Sequence, residues 1–476
     1  MSRNGEEFCD VVVVGGGIAG LIAALRCAQG GLKVSVLEKQ AEPLYLCNSR
    51  LSAGVWHCCA SDISGDPAGL QEKMMQATAG EADPDLVRVV AHDAVRVVHW
   101  LRDQGAKFIR GPYAYQKYVL APPAVSPQGA VWKGRGPDAA LQALEAALTS
   151  RGGSLLRGRR VTGLLVDEQG VHGVSGECHD GVPFHVNSRH VVIADGGFQS
   201  NVEKIGQWIA ADPERVVQRN SRASSGDGLR MAVEAGAATS TLSGFYGHLL
   251  SQDALENAEL ATYPYLDYLA TAGMLVDSTG RRIADEGLGG VYLANCLARQ
   301  PVQSGPYFVI VDEKIWQECG AMRITSPNPL LQKLGATLYR SDSIGGLAEL
   351  GGIDAVGLKD SIHTYNQAVE TGATAALEPP RQIEKYTPMQ IAQTPYYAFP
   401  VCAGITYTMG GIRINADSQV VNEGGSPIPH LYAAGCTTGG LEGGTRHGYV
   451  GGLVKSGVTG LRAAEHILGI SVSHPG

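Results

Sequence analysis

The 476-residue chain has no apolar run near the roughly eighteen residues a membrane helix requires, so no spanning helix is expected. None of its ten cysteines stands in a CxxC pair, which excludes the common zinc spacings, and no CxxCH haem-attachment site occurs. No metal centre is therefore expected. Basic residues are in deficit: 38 Lys and Arg against 46 Asp and Glu leave a formal charge of −8, which argues against a nucleic-acid partner. The opening MSRNGEEFCD carries acids where an export signal carries a basic and then an apolar region, so the scattered thiols read as reduced and cytoplasmic. A redox role for the adjacent Cys58-Cys59 is disfavoured by the strain of a vicinal bridge.

What the chain has in excess is glycine. Its 63 glycines cluster at 15–20, 195–197, 226–228, 287–290, 410–411 and 435–457 without a period, which excludes collagen and solenoids. Clustered glycine implies a backbone that approaches something closely and repeatedly. At 44% apolar and 18% charged the composition is globular, and the length predicts two domains.

Asp10 to Val14 reads as a buried strand, and Gly15-Gly16-Gly17-Ile18-Ala19-Gly20 follows as GxGxxG at the turn into a helix over about Ala19–Gln29. A second strand, Lys33–Leu37, ends in Glu38. Gly15 permits the tight turn, Gly17 lets a pyrophosphate reach the helix N-terminus, and Gly20 lets helix and strand pack closely. Glu38 stands where a carboxylate accepts from ribose hydroxyls, so the unit predicts a dinucleotide. No further βαβ units follow. The chain turns to NSRLSAGVWHCC, whose Ser49, Ser52, Ala53 and Gly54 suit a planar isoalloxazine edge and favour FAD over NAD. A strand over 158–166 places the backbone of Val161 at an adenine, and another ends in Ala194-Asp195-Gly196.

These features, with SSGDGLRMAVEAGA (224–237), AGMLVDSTGRRIADE (272–286), YTMGGIRINADSQV (407–420) and IPHLYAAGCTTGG (428–440), extend over nearly the whole chain. On them the chain resembles the flavoprotein subunit of succinate dehydrogenase and fumarate reductase, with soluble relatives such as 3-ketosteroid 1-dehydrogenase and tricarballylate dehydrogenase. The resemblance implies an α/β fold: a Rossmann-like FAD-binding domain (1–240 and 385–476) with an inserted α+β capping domain at 241–384. It implies FAD contacts at Lys39, Asp227, Gly435, Gly451, Leu453 and Val454 as well. The segment 48–54 lacks the histidine that tethers flavin in succinate dehydrogenases, so FAD is expected to be noncovalent. No second GxGxxG unit supplies an NAD(P)H site, so electrons are expected to pass through substrate exchange or an external acceptor such as quinone, oxygen or a carrier.

The resemblance also assigns the polar residues of the tail GGLEGGTRHGYVGGLVKSG (439–457). Its glycines give clearance to the flavin, and Tyr449 stands where fumarate reductases carry a carboxylate-gripping arginine and ketosteroid dehydrogenases a ketone-binding tyrosine. Gly290 stands in place of the catalytic arginine of fumarate reductases, four residues past Glu286, and Tyr292 is near the catalytic tyrosine of the ketosteroid branch. Tyr407 replaces a histidine of the fumarate branch, while His248 matches a histidine that binds substrate there. His248 also reads as a hydrogen-bonded histidine at the domain junction. Arg446 and His447 read either as solvated or as a carboxylate site, and Tyr113, Tyr115 and Tyr118 as pocket walls, surface or core.

The expected activity is FAD-dependent α,β-desaturation of a cyclic ketone, a 3-ketosteroid or a small oxocyclohexane carboxylate. Tyr449 and the Leu453 N–H would bind the ketone, and Tyr292, relayed by a phenol such as Tyr115, would take the α-proton. Only seven phenylalanines speak against a long steroid cleft. The alternatives are a di- or tricarboxylate oxidoreductase and a flavoprotein-like binding protein.

Overall fold

The computed structural model describes residues 6–124, 131–301, 305–322 and 325–472; the first five residues of the N-terminal stretch read above lie outside them. Two large sheets organise these residues. The first runs in the order Gln419–Val421, Pro427–Ala433, Pro183–Ile193, Glu6–Val14, Val34–Glu38, Ser154–Arg157, so its strands come from both ends of the chain. Its inner pairs are parallel, with Val11–Val14 beside Val34–Leu37 on one side and His190–Ile193 on the other. Val11 to Val14 are buried on both faces, which is why an unbroken β-branched run forms this central strand.

The helix Ile18–Gln29 covers this sheet and is buried nearly all round, because the closing helix Gly452–Ile467 packs over it. Glycine permits that contact: a Cβ at Gly460 would lie 2.4 Å from the Ala19 carbonyl oxygen. Buried ion pairs, Arg462 Nε to Asp93 Oδ2 at 2.6 Å and Arg96 Nη1 to Glu465 Oε1 at 2.8 Å, tie the closing helix to the helix Pro84–Asp103.

The second sheet is built around the 13-residue strand Tyr396–Thr408, which pairs with Val216–Gln218, Phe245–Ser251, Tyr307–Asp312 and Tyr339–Ser341. It therefore takes strands from outside 241–384 at both ends. The long strand stays in this sheet to its end, with Thr408 opposite Phe245, while Thr408 Oγ1 accepts from the Phe198 N–H. A bulge interrupts its pairing with Phe245–Ser251, between Tyr246 and Gly247. No helix among the described residues is long and apolar enough to cross a membrane.

Candidate functional site

A cleft of about 830 Å³ opens at the carboxyl end of the first sheet. The glycine turn forms one wall with Gly15, Gly17, Ile18 and Ala19; Glu38, Lys39 and Ser49 stand beside it. Val161, Ala194, Asp195, Gly196, Asp227 and Gly435 complete the expected set that lines it. Gly15 has φ +103° and a Cβ there would sit 2.6 Å from the Ala194 carbonyl oxygen, whereas a Cβ at Gly17 would meet only Ser49 Oγ, at 3.5 Å. Gly17 offers the helix no side-chain cap; the Ile18 N–H donates to Ser49 Oγ at 3.0 Å, and the helix start keeps its partial positive charge toward the cleft. Glu38 accepts from the Gly16 and Gln40 N–H groups, which fixes its carboxylate at the rim. Gln199 is 1% exposed and neither of its amide atoms has a protein partner. Orphaned amide atoms in a glycine-walled, anion-favouring cleft fit a dinucleotide.

Gly20 does not line this cleft; its Cβ position is 2.1 Å from the Gly15 carbonyl oxygen, so it serves helix packing as expected. Ser52, Ala53 and Gly54 depart from the expectation. Ser52 Oγ donates to the Ser49 carbonyl, Ala53 is exposed, and Gly54 accepts from the Leu120 N–H, so all three lie outside the cleft. Gly451, Leu453 and Val454 lie outside it too, at the mouth and inner face of the closing helix. That helix also begins without a side-chain cap, and a Cβ at Gly451 would fall 2.2 Å from the His57 carbonyl oxygen. The N–H of Leu453 belongs to its uncapped first turn.

Asp195 is held by burial at a raised pKa of about 6, partly offset by the Gly228 N–H that it accepts at 2.7 Å. A raised folded-state pKa contributes stability below the unfolded value and loses it as pH rises through the folded one. Asp195→Asn is therefore expected to gain on the wild type between pH 4 and 6, read as the difference in thermal midpoint across that range.

Away from the glycine turn, a set of rings stands in continuous contact. Tyr115 meets His57 edge-on at 5.5 Å, and His57 meets Tyr449 edge-on at 5.6 Å. Tyr449 stacks on Tyr246 at 4.0 Å, Tyr246 meets His248 edge-on at 5.2 Å, and His248 stacks on Tyr265 at 3.9 Å. All except His248 are part-exposed. Of the expected residues, the structure thus brings Tyr449, Tyr115 and His248 together. Tyr113 only backs Tyr115, and Tyr118 is buried between Phe108 and Arg102.

Tyr407 joins the set but its hydroxyl is committed, donating to both oxygens of Glu442 at 2.9 and 3.2 Å. It supports the helix start and does not clamp a substrate. Tyr292 lies elsewhere, 6.1 Å from His447 between ring centroids and without a described ring contact to Tyr449. Burial and the neighbouring Cys296 push its phenol up. His447 is turned inward at φ +47°, 5% exposed, and burial lowers it to about 4. It is a neutral imidazole and offers a carboxylate no charge. Arg446 is part-exposed on the Gly443–Gly448 turn.

Several residues of this site escaped the sequence reading. Glu442 is fully buried and collects the Val450 and Gly451 N–H groups and the Lys455 ammonium as well as Tyr407. Asp267 holds His248, with Oδ2 at 2.6 Å from Nδ1. Arg219 spends its guanidinium on the carbonyls of Ala261 and Thr262, on Thr406 and on Tyr265. The available signal for Tyr246 was its place two residues before His248 on one strand, which puts both on one face. Glu286, the acid of the fumarate pattern, is buried and paired with Arg282 at 2.5 Å. At Gly290 a Cβ would lie 2.0 Å from Asp267 Cγ, so the space after that glycine is filled by the carboxylate that supports His248.

Comparisons with known proteins agree with this geometry. A family model described as "FAD binding domain" matches residues 10–451. The chain is 26% identical over 478 residues to a probable fumarate reductase of Shewanella frigidimarina, across 97% of this chain and 76% of that protein. It is 26% identical over 491 residues to a vinyl phenol reductase of Lactiplantibacillus plantarum, across 94% of this chain and 93% of that protein. The solved 3-ketosteroid Δ1-dehydrogenase of Sterolibacterium denitrificans superposes with a TM-score of 0.73 at 21% identity, across 98% of this chain and 100% of that one. At that identity the likeness concerns the fold alone.

Proposed function

From the premise that this chain belongs to the FAD binding domain family, we propose an FAD-dependent oxidoreductase that acts on the CH–CH or C=C pair beside a neutral carbonyl, on a ring-bearing substrate. The observation that carries this reading is the set of rings. Its faces are tyrosine and histidine rings, its phenols are neutral, and its part-buried guanidinium, Arg219, is already hydrogen-bonded by the protein. Stacked rings favour a planar apolar body, and a neutral phenol donor favours a carbonyl that enolises.

FAD would be held, noncovalently, by Gly15, Gly17, Glu38, Lys39, Asp195 and Gln199, and supplies two-electron hydride exchange when bound. The chain's own residues orient the substrate and move the proton. Tyr449 donates to the substrate carbonyl, reinforced by the first-turn N–H groups of the closing helix, Leu453 among them. The inserted segment, about 241–384, closes over the reacting pair and excludes water. Electrons come from or go to an external carrier. The likeness to a vinyl phenol reductase supports a ring substrate, and the likeness to a fumarate reductase supports chemistry at a C=C bond.

A second reading, a di- or tricarboxylate oxidoreductase, is favoured by that same fumarate reductase likeness and by Arg446, which no described ion pair holds. Reduction of cyclohex-2-enone, its 4-carboxylate and fumarate, each with reduced benzyl viologen, separates the two. Faster turnover of the uncharged enone is expected. Turnover of fumarate alone overturns the neutral-carbonyl reading in favour of the carboxylate one.

A further inference from the structure

We propose that Tyr246 is the residue that moves the proton at the reacting carbon, with His248 and Asp267 behind it as a positioning relay. This rests on reading the protein as a CH–CH oxidoreductase, and it replaces Tyr292 in the role expected from sequence.

Three linked contacts carry it. Tyr246 Oη lies 3.1 Å from His248 Nε2, and His248 Nδ1 lies 2.6 Å from Asp267 Oδ2. Asp267 Oδ1 accepts the Leu249 N–H at 2.9 Å, so both carboxylate oxygens are fixed. An anionic partner at Nδ1 sets that nitrogen as the donor, which leaves Nε2 to accept from the Tyr246 hydroxyl. Acid, imidazole and hydroxyl in series form the arrangement that activates a hydroxyl, with the third group orienting the second. The bulge opposite Tyr246 and Gly247 leaves Thr406 of the long strand out of the ladder, and the Tyr246 ring lies flat on Tyr449, the expected carbonyl donor. The room for this relay exists because position 290 is a glycine: any side chain there would displace Asp267.

The step balances. In dehydrogenation the α C–H bond breaks and its proton bonds to Tyr246 Oη, while the phenol's own proton passes to His248 Nε2. The imidazolium so formed faces the Asp267 carboxylate, and FAD, when bound, would supply the acceptor for the β-hydrogen and its electron pair. Reduction runs the same transfers backward, with His248 refilling Tyr246. The groups facing the pair are Asp267, Arg219, Tyr263, Tyr265, Tyr407 and Tyr449; burial raises the Tyr246 phenol and lowers His248, Arg219 favours the phenolate but disfavours the imidazolium, and Asp267 favours the imidazolium.

The test uses the flavin-loaded enzyme with reduced benzyl viologen and two probes, cyclohex-2-enone and fumarate. Tyr246→Phe keeps the ring stack and is expected to lower kcat about 100-fold or more on the probe that the wild type reduces, with KM within about threefold and the flavin spectrum kept. His248→Gln is expected to lose the limb of the kcat–pH profile that the wild type shows below the ordinary imidazole value of 6.5, which a purely structural role would leave in place. In ¹⁵N-histidine spectra the Nε2 resonance of His248 is expected to move in Tyr246→Phe. Wild-type turnover by Tyr246→Phe, or an unmoved resonance, overturns the relay. Fumarate as the sole substrate, with Tyr246→Phe inactive on it, overturns the neutral-carbonyl reading and leaves the relay standing. A wild type that reduces neither probe removes both.

Discussion

Tyr449→Phe is expected to lower kcat for cyclohex-2-enone reduction by about 10²–10³-fold while the protein keeps its flavin, the range found when one donor to a developing oxyanion is removed. Tyr449 is poised for that role by three features. Burial and the nearby Glu442 charge keep its phenol protonated, its hydroxyl faces the Gly452 N–H at the mouth of the closing helix, and its ring is clamped between Tyr246 and His57. Phenylalanine preserves the clamp and removes only the donor, so the loss falls on kcat more than on KM. Dye-linked kinetics at saturating enone, with the visible spectrum as the control for bound flavin, measure it. Unchanged turnover removes Tyr449 from the carbonyl.

Lys455→Met is expected to cost about 3–5 kcal/mol of stability, the range for a buried ion pair that loses one partner. Lys455 is 1% exposed, and its ammonium donates to the Thr438 carbonyl at 2.7 Å and to Glu442 Oε2 at 3.4 Å. Without it, a fully buried carboxylate keeps three neutral donors, Tyr407, Val450 and Gly451, and no counter-charge. Methionine fills a similar volume, so the loss is electrostatic and not a cavity. A second change, Glu442→Gln, is expected to restore part of the stability, and a double-mutant cycle on urea midpoints reads the coupling. Additive effects of the two changes would show that the pair contributes nothing as a pair.

The two ends of the chain were readable for different reasons. The front unit is local: strand, glycine turn, helix, strand and Glu38 lie within one stretch, and each glycine answers a clash that the backbone itself defines. The tail glycines announced clearance for a flavin; Gly435 lines the cleft, whereas Gly451 makes room for the protein's own His57 carbonyl. The tail's polar residues were harder. Arg446 and His447 are the large basic residues of the segment, yet His447 is folded inward and uncharged, while Glu442, two residues past the glycine pair that opens the segment, anchors the whole mouth. Burial reverses the meaning of charge, and burial is not written in a short glycine-rich motif.

The sequence by itself determined the dinucleotide cleft, the return of the C-terminal segment to the first sheet, and the absence of an arginine at position 290, because each depends on neighbours along the chain or on a residue's identity. Only the tertiary structure decided which phenol faces which base. Tyr115, His57, Tyr246, Asp267 and Tyr449 come from five separate segments, and a hydrogen-bonded relay exists only where folding brings its groups within about 3 Å.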